Sequence, residues 1–462
     1  MHYPWWYVPF ATSPMLIAAI AVIHVLVSHY AVGGGLFLAV ETGHAYRTQN
    51  KPYLAYLREH AWFFVLITVV FGAITGVGIW WTIGLASPLA TEVLIHTFVF
   101  GWAIEYVFFV LEIVSAFIFF YYWGRLKPAV HMQIGWIYAG AAWISLVLIT
   151  GITAFMLHPG GWVENQNFWV GFLNPQFVPQ VLARTGGALL LASLYVYFHA
   201  SFKLKDTKLR DMIGRRSARP ALLGAALVAI GGLGWYALLP ESAKAALQAA
   251  APLNMLTVMI FGLTIAVFVM MYLGPYRNPG WLSPGFAILL LGCGFVAIGV
   301  GEFLREAVRK PYVSYNVVLS NQVLAEEVPQ IREQGYLESG TWTRAFVKAN
   351  FAPAVLDDGT IDEERLLASP RPVQLRLGEA LFQHHCNDCH ASELGLSAVA
   401  HLARGWDREL LLETVKHPEK VQFFMPPWCG TDQEAELLAT YLETITPPYP
   451  AGMHYGGVEG GQ

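Results

Sequence analysis

Residues 14–40 read PMLIAAIAVIHVLVSHYAVGGGLFLAV, twenty-seven consecutive positions with no Asp, Glu, Lys or Arg. Crossing about 30 Å of hydrocarbon takes roughly 20 helical residues at 1.5 Å each, so this stretch reads as a membrane-spanning helix. Seven further runs follow, near 61–83, 93–123, 132–157, 177–202, 220–239, 253–273 and 282–304. They are continuous rather than alternating, which excludes a β-barrel reading. The expected fold is all-α: a polytopic bundle of eight spans occupying residues 1–304, followed by a small helical domain. The whole composition agrees, with 55% hydrophobic and 13% charged residues over 462 positions. A net charge of -4 leaves no basic excess of the kind nucleic-acid binding needs, so the lipid bilayer is the expected partner and nucleic acid is not.

The loops orient the bundle, because short cytoplasmic loops collect Lys and Arg. Odd-numbered loops hold Arg47, Lys51, Arg58, Arg125, Lys127, Lys203, Lys205, Lys208, Arg210, Arg215, Arg216, Arg219 and Arg277, whereas even-numbered loops hold only Lys244. Both termini are therefore expected outside, in a bacterial cytoplasmic membrane with the C-terminal domain on the periplasmic face. The opening MHYPWWYVPF lacks the basic region of a cleavable signal, so the first span is expected to be retained.

From about residue 305 the chain turns polar, through EEVPQIREQG and LDDGTIDEERLLASPRP, and 305–372 reads as an irregular connector. A compact domain is expected at 373–447 and a tail at 448–462. The domain contains Cys386-Asn387-Asp388-Cys389-His390. In this C-x-x-C-H spacing two thiols bond the haem vinyl groups and the histidine ligates iron. A redox or zinc CxxC is the alternative, but no second Cys or His pair stands at zinc-site spacing. LGEALFQHHCNDCH leads into the motif, Met425-Pro426-Pro427-Trp428 follows it, and DQEAELLATYLETI closes the domain. The set resembles a class I cytochrome c carrying one covalent haem, with His390 and Met425 as axial ligands. His384, His385, His401 and His417 are rival sixth ligands, expected on solvated faces. Cys293 and Cys429 are expected unpaired.

Ionisable groups inside spans are costly and usually functional. They are His24 and His29 on span one, Glu105 and Glu112 on span three, Arg184 on span five and Glu302 near the end of span eight. Glu105 and Glu112 stand two turns apart and share a face, whereas His24 and His29, five apart, diverge. At 1.5 Å per residue His24 and Glu105 both lie about 15 to 18 Å in from the outer end, with Glu112 deeper.

The segments IAVIHVLVSHYAVGGGLFLAVET, GWAIEYVFFVLEIVSAFIFFYYWGRL, AVHMQIGW through ITAFMLHP, and LNPQFVPQVLARTGGALLLAS resemble subunit I of cytochrome bd quinol oxidases, over roughly residues 10–315. The resemblance implies that His24 binds a non-covalent haem and that Glu105 and Glu112 serve oxygen reduction and its proton path. It implies haem b, haem d or both in the membrane, and a second membrane subunit. Three departures stand out. Arg184 occupies the position of the family's fifth-span haem ligand, and a guanidinium cannot ligate iron, though it forks well onto haem propionates. Met259, or Met255, in APLNMLTVMIFG matches that haem's second ligand. The family's long outer quinol loop is replaced by PESAKAALQAAAP. Glu302, in GVGEFLREAVRKPY, is shifted from the family's haem-ligand glutamate and is given a haem role.

The expected function is that of a respiratory oxidoreductase. Electrons from a soluble or membrane-bound c-type cytochrome would enter through the c haem and pass to the membrane haems for oxygen reduction. The alternatives are a conduit that takes electrons from quinol and passes them outward, and a non-catalytic haem subunit of a larger complex.

Overall fold

A computed structural model describes residues 6–8, 10–395 and 397–448; most of the expected tail lies outside them. The described chain carries eight helices long and apolar enough to cross a membrane: Ser13–Arg47, Lys51–Ala86, Val99–Tyr121, Pro128–Phe155, Phe177–Lys203, Thr207–Ala237, Ala251–Arg277 and Pro284–Ala307. These are spans one to eight. Their number matches the sequence reading. The chain divides into two compact units, one of Ala18–Trp81 with Val93–Arg309, the other collecting the segment up to Ile17, Thr82–Glu92 and the chain from Lys310 onward.

Several spans run past the apolar runs that announce them. Asn50 caps span two, its side chain accepting the Tyr53 N–H at 3.0 Å. Asp206 caps span six, accepting the N–H groups of Lys208 and Leu209. Lys208, Arg210, Arg215, Arg216 and Arg219, expected in a loop, therefore lie on the first turns of span six. Hydropathy senses where hydrocarbon ends, but a capped helix has no need to stop there. The extension has a use. Arg216 forks onto Glu41 of span one, Nε to Oε2 at 2.6 Å and Nη2 to Oε1 at 3.0 Å, and the Tyr53 hydroxyl donates to the same carboxylate at 2.8 Å. One partly buried charge pair thus ties spans one, two and six.

Gly33, Gly34 and Gly35 let neighbours press on span one from three sides. A Cβ at Gly33 would strike the Ala188 carbonyl of span five. At Gly34 it would stand 2.7 Å from the ring of Tyr30 and 2.8 Å from that of Phe64, and at Gly35 it would overlap the ring of Tyr138. The bundle core that results is rich in phenols, with Tyr30, Tyr53, Tyr56, Tyr195 and Tyr197 among its buried members. The outer faces are apolar in turn, as lipid contact requires: Val77, Phe100 and Met255 are each more than 70% exposed.

The second unit corrects the expectation of an irregular connector. Residues 305–372 contain an antiparallel hairpin (Tyr312–Ser314 with Val318–Leu319) and helices Val328–Gln334 and Thr341–Asn350. Their apolar residues Leu319, Ile331, Val347 and Leu366 share one core with Leu377, Leu381, Leu438 and Leu442 of the cytochrome-like segment. Short helices broken by Pro and Gly hide such periodicity in the sequence. Helices Arg371–His385 and Asp432–Ile445 cross closely because residue 378 is glycine; a Cβ there would strike the Leu437 carbonyl.

Glu434 clasps the two halves of this core. Fully buried, it accepts the N–H groups of Tyr336 at 2.8 Å and Leu337 at 2.6 Å, and completes a capping box with Thr431. Burial, reinforced by Glu363, pushes its carboxyl up to about 7. Between about pH 4.5 and 7 the native state then holds a proton that the unfolded chain has released, so stability falls as pH rises through that window and is level above it. The fall should reach about 3 kcal/mol in wild type and shrink in Glu434→Gln, read from denaturant unfolding at a series of pH values. An unchanged slope in the variant would assign the effect to another group.

Candidate functional site

Two clusters of chemistry-bearing side chains result, one in each unit. In the second unit, helix Arg371–His385 delivers the chain directly into the CxxCH turn. Cys386 and Cys389 are free thiols, and burial pushes that of Cys386 up to about 12. His390 Nδ1 lies 2.9 Å from the Ser397 carbonyl. Only a protonated nitrogen can donate to a carbonyl, so the ring is held as the tautomer whose lone pair sits on Nε2. Burial lowers the His390 pKa and keeps the imidazole neutral. Two thiols and one neutral, oriented imidazole suit a covalent c haem. Met425 is half-buried in the segment before the closing helix, its N–H bonded to the Gln422 carbonyl. Leu394, Leu402, Phe423 and Phe424 nearby in sequence expose apolar surface that a porphyrin would cover.

His384 and His385 are not on solvated faces. They are 4% and 9% exposed and pack against Tyr336, Trp342 and Trp428, because the helix that carries them turns this face into the shared core. Asn321 lies 3.3 Å from His385 Nδ1. His401 is exposed, and His417 lies beside Glu419. Cys293 and Cys429 are free, as expected.

In the membrane unit, His24 Nδ1 lies 3.0 Å from the Thr75 hydroxyl of span two. That hydroxyl is within bonding distance of the Phe71 and Gly72 carbonyls, which fix it as their donor and as acceptor from the histidine. His24 is thereby held with its lone pair on Nε2, the same arrangement as His390. Gly76 leaves room beside the ring, since a Cβ there would come within 3.2 Å of Cε1.

Glu105 and Glu112 pair with a matching ladder on span four. Ser145 donates to Glu105 at 2.6 Å, and Tyr138 stands 3.0 Å from Glu112 Oε1. Both pairs are seven residues apart on antiparallel helices, so the two carboxyls share a face. Among the described residues no hydrogen bond joins His24 to Glu105. Thr75, Ser145 and Tyr138 are site residues that the sequence reading missed; the spacing of seven shared by Ser145 and Tyr138 with the two glutamates was a usable signal.

The pattern of the membrane unit and that of the second unit each match a known family. Residues 13–236 match the sequence model of cytochrome bd terminal oxidase subunit I, and residues 373–442 that of cbb3-type cytochrome c oxidase subunit III. The chain joins a cytochrome bd oxidase subunit I domain to a cytochrome c domain. The bd oxidase from Geobacillus thermodenitrificans has a similar fold, with a TM-score of 0.56 and 19% identity over 65% of this chain and 87% of that one. None of the curated proteins matches. The chain is thus a multi-pass membrane haem protein of the respiratory type.

Against this bd-type frame, the departures at Arg184 and Glu302 form one cluster. Arg184 of span five donates to Thr150 at 3.2 Å and lies within electrostatic reach of His29, Glu302 and Arg305. Arg305 itself grips Glu302 Oε2 through Nε at 3.0 Å and Nη2 at 2.7 Å. With Arg309, which is paired with Glu306, the cluster sets three guanidinium groups against two carboxylates, and the positive excess fits the propionates of a haem. His29 is turned elsewhere than His24, its Nδ1 at 2.9 Å from the Val25 carbonyl. Met255 is 74% exposed, so Met259, half-buried one turn on, is the methionine of that pair that faces protein.

Proposed function

We propose that this protein is a bd-like terminal oxidase subunit that receives electrons through its covalent c haem and passes them to membrane haem for the reduction of oxygen. The observation that carries the reading is the Glu105–Ser145 and Glu112–Tyr138 ladder, since electron transfer alone needs no buried carboxyls, whereas making water consumes a proton with every electron. Haem bound at these sites would supply one-electron transfer and oxygen activation. Cys386 and Cys389 would anchor the c haem, with His390 and Met425 as its iron ligands. His24 would hold a membrane haem, Arg184 and Arg305 would neutralise propionates, and Met259 and Glu302 would complete the haem surroundings. Glu105 serves the reacting site while Glu112 hands protons to it.

The short connection between spans six and seven, with a helix Glu241–Ala249, supports a c-type cytochrome rather than quinol as the donor. A second membrane subunit of the kind that bd oxidases use completes the assembly. The outer-face location of the cytochrome domain rests on the basic-residue count. A single cysteine placed in the 203–206 loop should resist membrane-impermeant labels on intact cells, and one near residue 340 should react. Labelling of the first alone would invert the topology.

Glu112→Gln should keep every haem yet slow oxygen uptake from a reduced c-type donor by roughly a hundredfold, because the amide keeps the bulk and loses the titrating proton. Uptake at the wild-type rate would remove Glu112 from the proton path and leave the outward conduit as the better account.

A further inference from the structure

Span one carries a second imidazole. His29 stands five residues beyond His24, so the two rings leave the helix about 140° apart. His24 meets Thr75 and Gly76 of span two, whereas His29 meets span five, where a Cβ at Gly187 would stand 3.7 Å from its Cδ2. Its Nδ1 lies 2.9 Å from the Val25 carbonyl, which can only accept. Nδ1 therefore carries the proton and Nε2 the lone pair. Among the described residues no hydrogen bond reaches that Nε2. An acceptor left without a donor among apolar spans costs free energy, and Leu would fill the place without that cost.

The neighbours of the ring narrow what could take that lone pair. Arg184, one turn from Gly187 toward the start of span five, lies within electrostatic reach of His29, and so does Glu302. Arg305 in turn holds Glu302. His29, Arg184, Gly187, Glu302 and Arg305 all keep accessible surface, which a closed core would deny them. A bare metal cation would be repelled by the guanidinium groups, and a small anion would have no use for an imidazole lone pair. A haem answers both, since its iron takes the lone pair and its propionates take the guanidinium groups. The order along span five suits it as well, with Arg184 about 4.5 Å nearer the helix start than Gly187 by helical rise, so that cation and imidazole stand at different depths.

We propose that His29 is the axial ligand of a membrane haem distinct from the one on His24, taking the role that Arg184 cannot fill on span five. The inference rests on the reading above that the membrane unit holds haem, and it gives that unit a second iron. Val25 orients His29 as Thr75 orients His24, and Gly187 clears space beside the ring as Gly76 does there. Ligation forms one bond from Nε2 to iron and moves neither a proton nor an electron.

The test counts extractable haem against covalent haem in the purified full-length protein. His29→Ala should lose an extractable haem that His24→Ala keeps, and the double variant should hold only the covalent one. Added imidazole should restore the lost haem in His29→Ala by occupying the space the side chain leaves. His29→Met should keep the haem and raise its potential in a redox titration, because a thioether favours reduced iron, whereas replacing a merely structural histidine would leave the potential where it was. Equal extractable haem in His29→Ala and wild type, or loss of all of it with no return in imidazole, would overturn the proposal. If His24→Ala alone empties the membrane unit, this inference falls and the haem reading stands; if wild type holds no extractable haem, both fall.

Discussion

His24→Ala should yield a protein that keeps its covalent haem and loses a solvent-extractable one. The Thr75 hydroxyl takes the Nδ1 proton of His24 and directs the Nε2 lone pair away from span two, and Gly76 clears space beside the ring. No other side chain on span one can replace it. His29 is five residues on, divergent on the helix, and engaged with the Val25 carbonyl. Removing an axial ligand takes away the strongest bond to a non-covalent haem, so the expected loss is close to complete. A pyridine haemochrome assay before and after acid-acetone extraction separates the two pools. Full retention of the extractable haem would show that the membrane pocket is built on other residues. Thr75→Val, which removes only the orienting hydroxyl, should weaken the same haem by roughly 10- to 100-fold in affinity, as outer-shell partners of metal ligands commonly do.

The second large effect is expected at Met425. Met425→Ala should leave the haem attached through Cys386 and Cys389, open the sixth position to external ligands such as cyanide, and lower the potential. Thioether ligation favours reduced iron, and axial ligands tune haem over about 0.8 V, so a fall on the order of 0.1 V is expected. Redox titration of the c-type absorption band measures it. An unchanged potential and spectrum would point to His401, the exposed rival in the same unit, as the ligand. His384 and His385 are poorly placed for that role, since both are packed among Tyr336, Trp342 and Trp428.

The contrast between His401 and His384 shows what could be read before the fold was known. Sequence spacing counts eight spans and marks CxxCH as the turn of the cytochrome c domain, because both signals are local and chemically narrow. It misplaces His384 and His385, because burial of a short amphipathic helix depends on what packs against it. Here Tyr336 and Trp342 come from residues 305–372 and Trp428 from beyond the haem motif, all distant in sequence from the helix they cover. The same limit applies inside the membrane. All-round hydrophobicity hides which face of a span meets its neighbour, so Thr75 behind His24 and Tyr138 behind Glu112 became visible only once helices distant in sequence were side by side. The basic residues of span six were legible as flanking a span but not as helical, since only Asp206, a capping residue, marks that the helix starts before the hydrocarbon does.

Within the bd-type frame, Arg184 and Glu302 stand where the sequence departs from the pattern that the resemblance implies. The connection between spans six and seven is a short helix, and a cytochrome c domain follows the last span. These changes are coherent if electrons arrive from a c-type protein through the covalent haem instead of from quinol within the membrane.

Oxygen uptake by the purified full-length protein, with whatever subunits accompany it, tests that claim most directly when fed by a reduced c-type cytochrome and compared with the Cys386→Ala/Cys389→Ala variant. The account predicts uptake in wild type and its loss in the variant, with the extractable membrane haem still present. Absence of uptake with any reduced c-type donor, or equal uptake in the variant, would contradict it.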